Sequence, residues 1–284
     1  MWDVQKLKQA LLSALGSSFE SSEARNMVRW LLTSFAGLKP EDVVMNPDLM
    51  VDDAVVSRLF AAVGELKKDT PIQYVTGKAY FYGLELNVNR DVLIPRPETE
   101  EMVQWVLENF SRRPGMRVLD IGTGSGCIIL ALGSFLTDPV LQALDNSPEA
   151  LAVASGNASQ LKLKIDFHRV DIRNRGEWDD FGKFDLIVSN PPYVREIEKP
   201  AMKRNVLDYE PAGALFVPDD DPLIYYHAIA GFSRYNLSEE GALFVEINEN
   251  FGRETVNLFR DHGFTKVELR KDIRNKDRMI MACF

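Results

Sequence analysis

Asn190-Pro191-Pro192-Tyr193 closes the apolar run Phe184-Asp185-Leu186-Ile187-Val188-Ser189, and its residue types suit one kind of chemistry, the alkylation of a planar nitrogen. The run is short and rich in Ile, Val and Phe, and the prolines behind it cannot donate ladder hydrogen bonds. It therefore reads as a buried strand that ends at Asn190. A residue before proline is held extended, and neither Pro191 nor Pro192 carries an N–H, so acceptors outnumber donors. The Asn190 side-chain oxygen and the Pro191 carbonyl can accept both hydrogens of an NH2 group, with Tyr193 as an aromatic wall. Taken alone, the tetrapeptide also fits a Pro-Pro turn that merely ends a strand.

A second constellation stands upstream. Val118-Leu119-Asp120-Ile121 reads as a strand emptying into Gly122-Thr123-Gly124-Ser125-Gly126, ahead of a helix that opens at Cys127. Positions without side chains let backbone approach a ligand at a helix N-terminus. The spacing is G-x-G-x-G, whereas the dinucleotide form places its third glycine one residue later. A ligand packed against the loop by a part without phosphate fits better. The next strand, residues 140–144, ends in Asp145, a carboxylate suited to accept two ribose hydroxyl hydrogens, and residues 165–170 end in Asp171. Two successive strands ending in acids beside a glycine loop describe a nucleoside pocket, although either acid alone reads as a solvated strand end.

These residues need a sheet to hold them. From Arg117 onward strands and helices alternate, which predicts a mostly parallel sheet covered on both faces. Further strands are expected at 241–247, 266–270 and 278–284, the last two close enough for a hairpin, so one terminal strand should run antiparallel. Residues 1–70 read as a small helical bundle. Its faces are Val4, Leu7, Leu11 and Leu15, then Ala24, Met27, Val28, Leu31, Leu32 and Phe35, then Val55, Val56, Leu59, Phe60, Val63 and Leu66. Residues 71–97 form a linker in which the aromatic, alternating stretch 80–88 predicts a β-hairpin. Leu93-Ile94-Pro95-Arg96-Pro97-Glu98-Thr99-Glu100 is then a rigid entry to a helix burying Met102, Val103, Val106, Leu107 and Phe110.

Composition bounds the reading. The chain has 284 residues, 45% hydrophobic and 26% charged, enough for a small and a larger globular domain, and no uninterrupted membrane-spanning run. No export signal opens it, so the cytoplasm is expected. Cys127 and Cys283, like His168, His227 and His262, lack metal-ligand spacing, so no metal is expected. A net charge of −9 without a dense basic block argues against a partner bound mainly through phosphates.

Pro71-Ile72-Gln73-Tyr74, the segment 93–100, the glycine loop after Asp120, Asn190 to Tyr193, and Glu210-Pro211 with Ala214-Leu215 together resemble the HemK/PrmC family of S-adenosylmethionine-dependent methyltransferases. That family methylates a glutamine side-chain nitrogen in peptide chain release factors. The glycine loop alone says methyltransferase. Asn-Pro-Pro-Tyr is shared with amino-methyltransferases acting on adenine, and the Pro-Arg-Pro-Glu-Thr-Glu segment after a helical domain singles out the family.

The resemblance implies an α/β fold with a seven-stranded, mostly parallel, Rossmann-like methyltransferase sheet over 98–284, behind the bundle 1–70 and the hairpin linker 71–97. It implies that Gly122, Thr123, Gly124, Ser125, Gly126 and Asp145 hold S-adenosyl-L-methionine, with Asn190 near its methyl group and Asp171 and Trp178 by the adenine. Trp178 also reads as a half-buried structural tryptophan. Asn190, Pro191, Pro192 and Tyr193 would bind the glutamine amide of a Gly-Gly-Gln loop, with Asn190, Pro191 and Tyr193 as the catalytic set. The implied partners are class 1 release factors gripped by the bundle, with no nucleic acid, no membrane and a monomeric enzyme. Two other readings stay open: an N6-adenine-type amino-methyltransferase on nucleic acid, and a non-catalytic S-adenosylmethionine-binding protein.

Overall fold

Seven strands make the central sheet, in the order Lys266–Lys271, Asp277–Cys283, Leu237–Glu246, Phe184–Ser189, Arg117–Ile121, Val140–Asp145, Ile165–Arg169, in a computed structural model that describes residues 2–178 and 181–284. Asp277–Cys283 is antiparallel to both neighbours, and the remaining pairings are parallel. The expected antiparallel strand thus lies second from the edge. Side chains alternate across a strand, so each register row faces one core. Leu119, Ile187 and Leu243 align in one row, and Val118, Leu186 and Ala242 align in the row facing the opposite core. The fully buried Val, Leu and Ile side chains among them contribute about 1.5–3 kcal/mol each. Parallel pairing also brings the ends at Ile121, Asp145 and Ser189 to one edge, and the end at Glu246 joins them there.

The chain divides into two compact units, one running to Lys78 and including Lys203–Tyr209, the other made of Ala79–Met202 and Glu210–Phe284. These limits differ from the expected breaks at 70 and 97. Ile72–Thr76 is a helix whose Ile72 and Val75 pack on the bundle core, so the first unit extends past 70. The hairpin of Lys78–Phe81 and Leu84–Asn87 turns at Tyr82 and Gly83, both at positive φ. Its Phe81 and Leu86 are buried in the larger core, so it belongs with the sheet rather than with a separate linker. Lys203–Tyr209 joins the bundle by a bond from the Tyr209 hydroxyl to the Lys68 carbonyl, 2.7 Å.

The bundle helices Val4–Leu15, Ser21–Ala36 and Asp53–Leu66 turn the three expected faces inward, with Met27, Phe35 and Val55 only half-buried and Phe60 left outside. Phe60 is 37% exposed and rests on Trp2, with ring centroids 5.7 Å apart, because the strand pair Trp2–Asp3 and Met50–Val51 lies there; so short a pair carries no period to read. Asp3 caps the first helix by accepting the Lys6 N–H at 2.7 Å. Among the described residues, no helix is long and apolar enough to cross a membrane.

Candidate active site

At the carboxyl edge of the sheet a cavity of about 420 Å³ is lined by Gly122, Thr123, Gly124, Ser125, Asp145, Asp171, Asn190, Pro191 and Pro192, which the sequence places far apart. Three expected site residues do not line it: Gly126, Trp178 and Tyr193.

The glycine loop is held from below. The Gly122 and Thr123 N–H groups donate to the Leu144 carbonyl at 2.8 and 2.9 Å, so the loop is pinned to the neighbouring strand. Gly124 N–H donates to Asp145 Oδ2 at 2.9 Å and Ser147 N–H to Oδ1 at 3.0 Å. Each carboxylate oxygen thereby keeps a further lone-pair site for a hydroxyl donor. Burial pushes the Asp145 carboxyl above its ordinary range, and these backbone N–H bonds pull it back. Gly126 stands at φ +82 as the residue before the helix Cys127–Phe135, where a Cβ would meet Leu130 Cδ1 at 3.0 Å and Ala154 Cβ at 3.2 Å. It serves the packing of helix on helix rather than the cavity wall.

Two buried polar residues brace this loop, and neither was singled out from the sequence. Asp120 is fully buried and accepts the Thr123 hydroxyl at 2.7 Å; burial, with the nearby Asp145 charge adding, pushes its carboxyl up to about 7. Asn157 accepts the Asn87 N–H at 2.7 Å and donates to the Asn87 and Ser125 carbonyls at 2.9 and 3.0 Å, tying hairpin to loop. Its helix position looks polar and solvated in the sequence, so no local signal marks it.

Asp171 lines the cavity but its carboxylate is held by Arg173, with Nη2 to Oδ2 at 2.7 Å and Nε to Oδ1 at 3.0 Å, which keeps it below the usual carboxylate range. The Arg173 guanidinium lies 5.2 Å over the Tyr225 ring. Ile172, Arg173 and Tyr225 complete this wall. Tyr225 was missed because it comes from the helix Ile224–Asn236, whose pattern reads as ordinary packing. Trp178 lies behind the wall: its Nε1–H donates to the Ile172 carbonyl at 2.9 Å and its ring meets Phe232 edge-on at 5.9 Å. The tryptophan therefore sits behind the wall and does not line the cavity on which it was expected.

The opposite wall is the Asn-Pro-Pro-Tyr turn. Asn190 Nδ2 donates to Thr99 Oγ1 at 3.1 Å, and Thr99 Oγ1 donates to Glu246 Oε2 at 2.6 Å. The Tyr193 hydroxyl donates to Glu246 Oε1 at 2.8 Å, while Asn248 Nδ2 holds the Tyr193 carbonyl at 3.0 Å. Tyr193 is therefore turned into the core, drawn by a buried carboxylate, and the aromatic wall expected of it is not formed on the cavity. Burial pushes its hydroxyl well above the ordinary tyrosine range. Burial also raises the Glu246 carboxyl, against the pull of the Thr99 and Tyr193 hydroxyls and of Arg278. Among the described residues, neither Asn190 Oδ1 nor the Pro191 carbonyl accepts a hydrogen bond, so both acceptors remain available.

Thr99 is set by the chain before it. Arg96, extended because Pro97 follows, precedes the helix Pro97–Phe110, and Thr99 falls in that helix's first turn. The buried Glu210 carboxylate accepts the Ile94 N–H at 3.2 Å and Arg96 Nη2 at 2.6 Å. This pair fixes the 93–96 segment against Pro211 and Ala214 on the cavity rim. Among the described residues no group of three or more His, Cys, Asp and Glu side chains is placed to hold a metal ion.

Residues 8–77 match the family described as PrmC N-terminal domain, and residues 99–209 that described as Methyltransferase small domain. The chain is 40% identical over 284 residues to the release factor glutamine methyltransferase of Flavobacterium psychrophilum, covering 99% of each protein. It is 38% identical over 280 residues to that of Bacteroides thetaiotaomicron, covering 98% of this chain and 99% of the relative. Among solved structures, a methyltransferase from Pyrococcus furiosus superposes with a TM-score of 0.52 at 16% identity, over 81% of this chain and 98% of that one. That distant likeness speaks for the fold alone.

Proposed function

Since this chain belongs to the release factor glutamine methyltransferase family, we propose that it transfers a methyl group from S-adenosylmethionine to the side-chain amide nitrogen of the Gly-Gly-Gln glutamine in class 1 peptide chain release factors. The observation that carries this reading is the pair of open acceptors, Asn190 Oδ1 and the Pro191 carbonyl, on a cavity that also holds the glycine loop and Asp145.

The donor set fits the cofactor. About 420 Å³ lies within the usual range for a small-molecule site. Gly122 to Ser125 offer close backbone approach, Asp145 keeps lone pairs for ribose hydroxyls, and Ile172 and Tyr225 give an apolar wall for a base. S-adenosylmethionine supplies, when bound, an electrophilic methyl group. The protein's part is positioning. An amide nitrogen is a poor nucleophile because its lone pair is delocalised into the carbonyl. Asn190 Oδ1 and the Pro191 carbonyl accept its two hydrogens, turn its lone pair toward the methyl donor and stabilise positive charge as it develops. No dedicated general base is needed to start the transfer: the nitrogen–carbon bond would form as the methyl–sulfur bond breaks, and the nitrogen would then give up one hydrogen as a proton to water. The acidic balance of the chain, without a basic patch in the sequence, disfavours a nucleic-acid acceptor. The place of action is the cytoplasm, where translation ends.

A glutamine side chain is too common for a four-residue turn to choose one protein, so added surface must supply selection. The helical unit is the source we propose. Residues 1–70 carry 8 Lys or Arg against 10 Asp or Glu, a net charge of −2, which suits a protein surface better than a phosphate backbone. On it Val44, Met45, Leu49 and Met50 are 71%, 76%, 45% and 51% exposed within one short stretch, an apolar surface fitted to a protein partner. The chain carrying Met45→Asp and Met50→Asp should lose at least about tenfold in kcat/KM toward an intact release factor, as remote binding energy is lost. A free Gly-Gly-Gln peptide should be methylated as by the native enzyme. Equal loss on both substrates, measured side by side, would refute recognition by this surface.

A further inference from the structure

We propose that Glu246 and Thr99 are positioning residues that give the Asn190 amide its polarity, fixing Nδ2 inward and Oδ1 toward the substrate. The proposal rests on the amide-clamp reading above and goes beyond it by naming what enforces the clamp. Glu246 does not line the cavity and is 1% exposed, so it acts only through Thr99 and Tyr193, whereas Thr99, also 1% exposed, reaches the cavity wall beside Asn190.

The hydrogens of this network are few enough to assign one by one. Glu246 enters as a carboxylate, the form that the Thr99 and Tyr193 hydroxyls and the Arg278 charge favour against the opposing effect of burial, and a carboxylate accepts and cannot donate. Glu246 Oε1 takes the single hydroxyl hydrogen of Tyr193 at 2.8 Å, and Oε2 takes that of Thr99 at 2.6 Å, both ordinary O–H···O hydrogen-bond distances. With its hydrogen committed, Thr99 Oγ1 turns a lone pair to Asn190 at 3.1 Å. Only an N–H can satisfy that lone pair. An Asn190 amide rotated by half a turn would set oxygen against oxygen, so the network itself decides the orientation. Oδ1, on the other branch of the same amide, is left as the acceptor. Without this relay the amide would present acceptor or donor edges to the glutamine NH2 indifferently, and the donor edge would repel it.

The test uses the full-length enzyme and a Gly-Gly-Gln peptide. Thr99→Val keeps the shape and removes both functions of the hydroxyl. Its kcat should fall about tenfold or more, the scale of a lost preorganised contact, while S-adenosylmethionine affinity stays within about twofold. Thr99→Ser, which restores the hydroxyl, should recover most of the loss, and a merely space-filling role would predict the reverse order. Glu246→Gln, which puts an N–H in reach of Thr99, should lower kcat at least about threefold with the cofactor affinity again held. Independently of activity, the Asn190 side-chain NH2 resonances in 15N spectra should move in Thr99→Val and return in Thr99→Ser. Native kcat in both Thr99→Val and Glu246→Gln, with unmoved Asn190 resonances, overturns the relay. If the native enzyme itself leaves the peptide unmethylated, the clamp reading fails instead, and the resonances alone then decide the orientation.

Discussion

Asn190→Ala lowers single-turnover methylation of a Gly-Gly-Gln substrate at least about a hundredfold, the cost of removing one preorganised polar partner of the reacting atom. On the proposed clamp the loss should fall on the chemical step, because Asn190 Oδ1 would accept a hydrogen from the very nitrogen that becomes positively charged. The fold survives, since the side chain is only half-buried and its one bond, to Thr99, leaves Thr99 still anchored on Glu246. Cofactor affinity should stay near native. Asn190→Asp separates the two halves of the side chain: it keeps acceptors but has no hydrogen for Thr99 Oγ1, so it should be impaired as well. Methylation by Asn190→Ala at the native rate would reduce Asn-Pro-Pro-Tyr to a strand-ending turn.

Asp145→Ala weakens S-adenosylmethionine binding by about 1.5–3 kcal/mol, the range for charge-assisted hydrogen bonds, which is about 10- to 150-fold in Kd. On the proposed binding mode two ribose hydroxyls would lose their acceptor. Gly124 and Ser147 lose theirs at the same time, so the loop that faces the ligand loosens too. Asp145→Asn, which keeps one oxygen, should fall between the variant and the native protein. Titration calorimetry giving unchanged affinity in folded Asp145→Ala removes the ribose assignment, and tight binding of NADH by the native protein would contradict the reading of the glycine spacing.

The parts of the site legible in the sequence are those whose chemistry is local. Gly122 to Ser125 announces itself by glycine spacing, Asp145 by ending a strand, and Asn190 to Pro192 by prolines that stop a ladder. The buried network is different in kind. Glu246 sits in Ala242-Leu243-Phe244-Val245-Glu246-Ile247, where an acid in an apolar strand gives no hint of its partners. Those partners come from Thr99 and Tyr193, far off in the chain, and only the sheet brings them together. Tyr193 was expected on the cavity for the same reason: nothing near it in sequence shows the carboxylate that turns it inward. The bundle follows its helical periods except at Phe60, and Lys203–Tyr209 joins that unit though too short to carry any period. Trp178 reads either way until its indole N–H is seen on the Ile172 carbonyl.

The central claim is methyl transfer to one glutamine of a release factor. Mass spectrometry of the Gly-Gly-Gln peptide from a purified class 1 release factor, incubated with this enzyme and S-adenosylmethionine, tests it directly. One added methyl group is expected, located by fragmentation on the glutamine side chain and absent when the enzyme is left out. An unmodified glutamine, or a methyl group found instead on nucleic acid supplied in the same reaction, would contradict it.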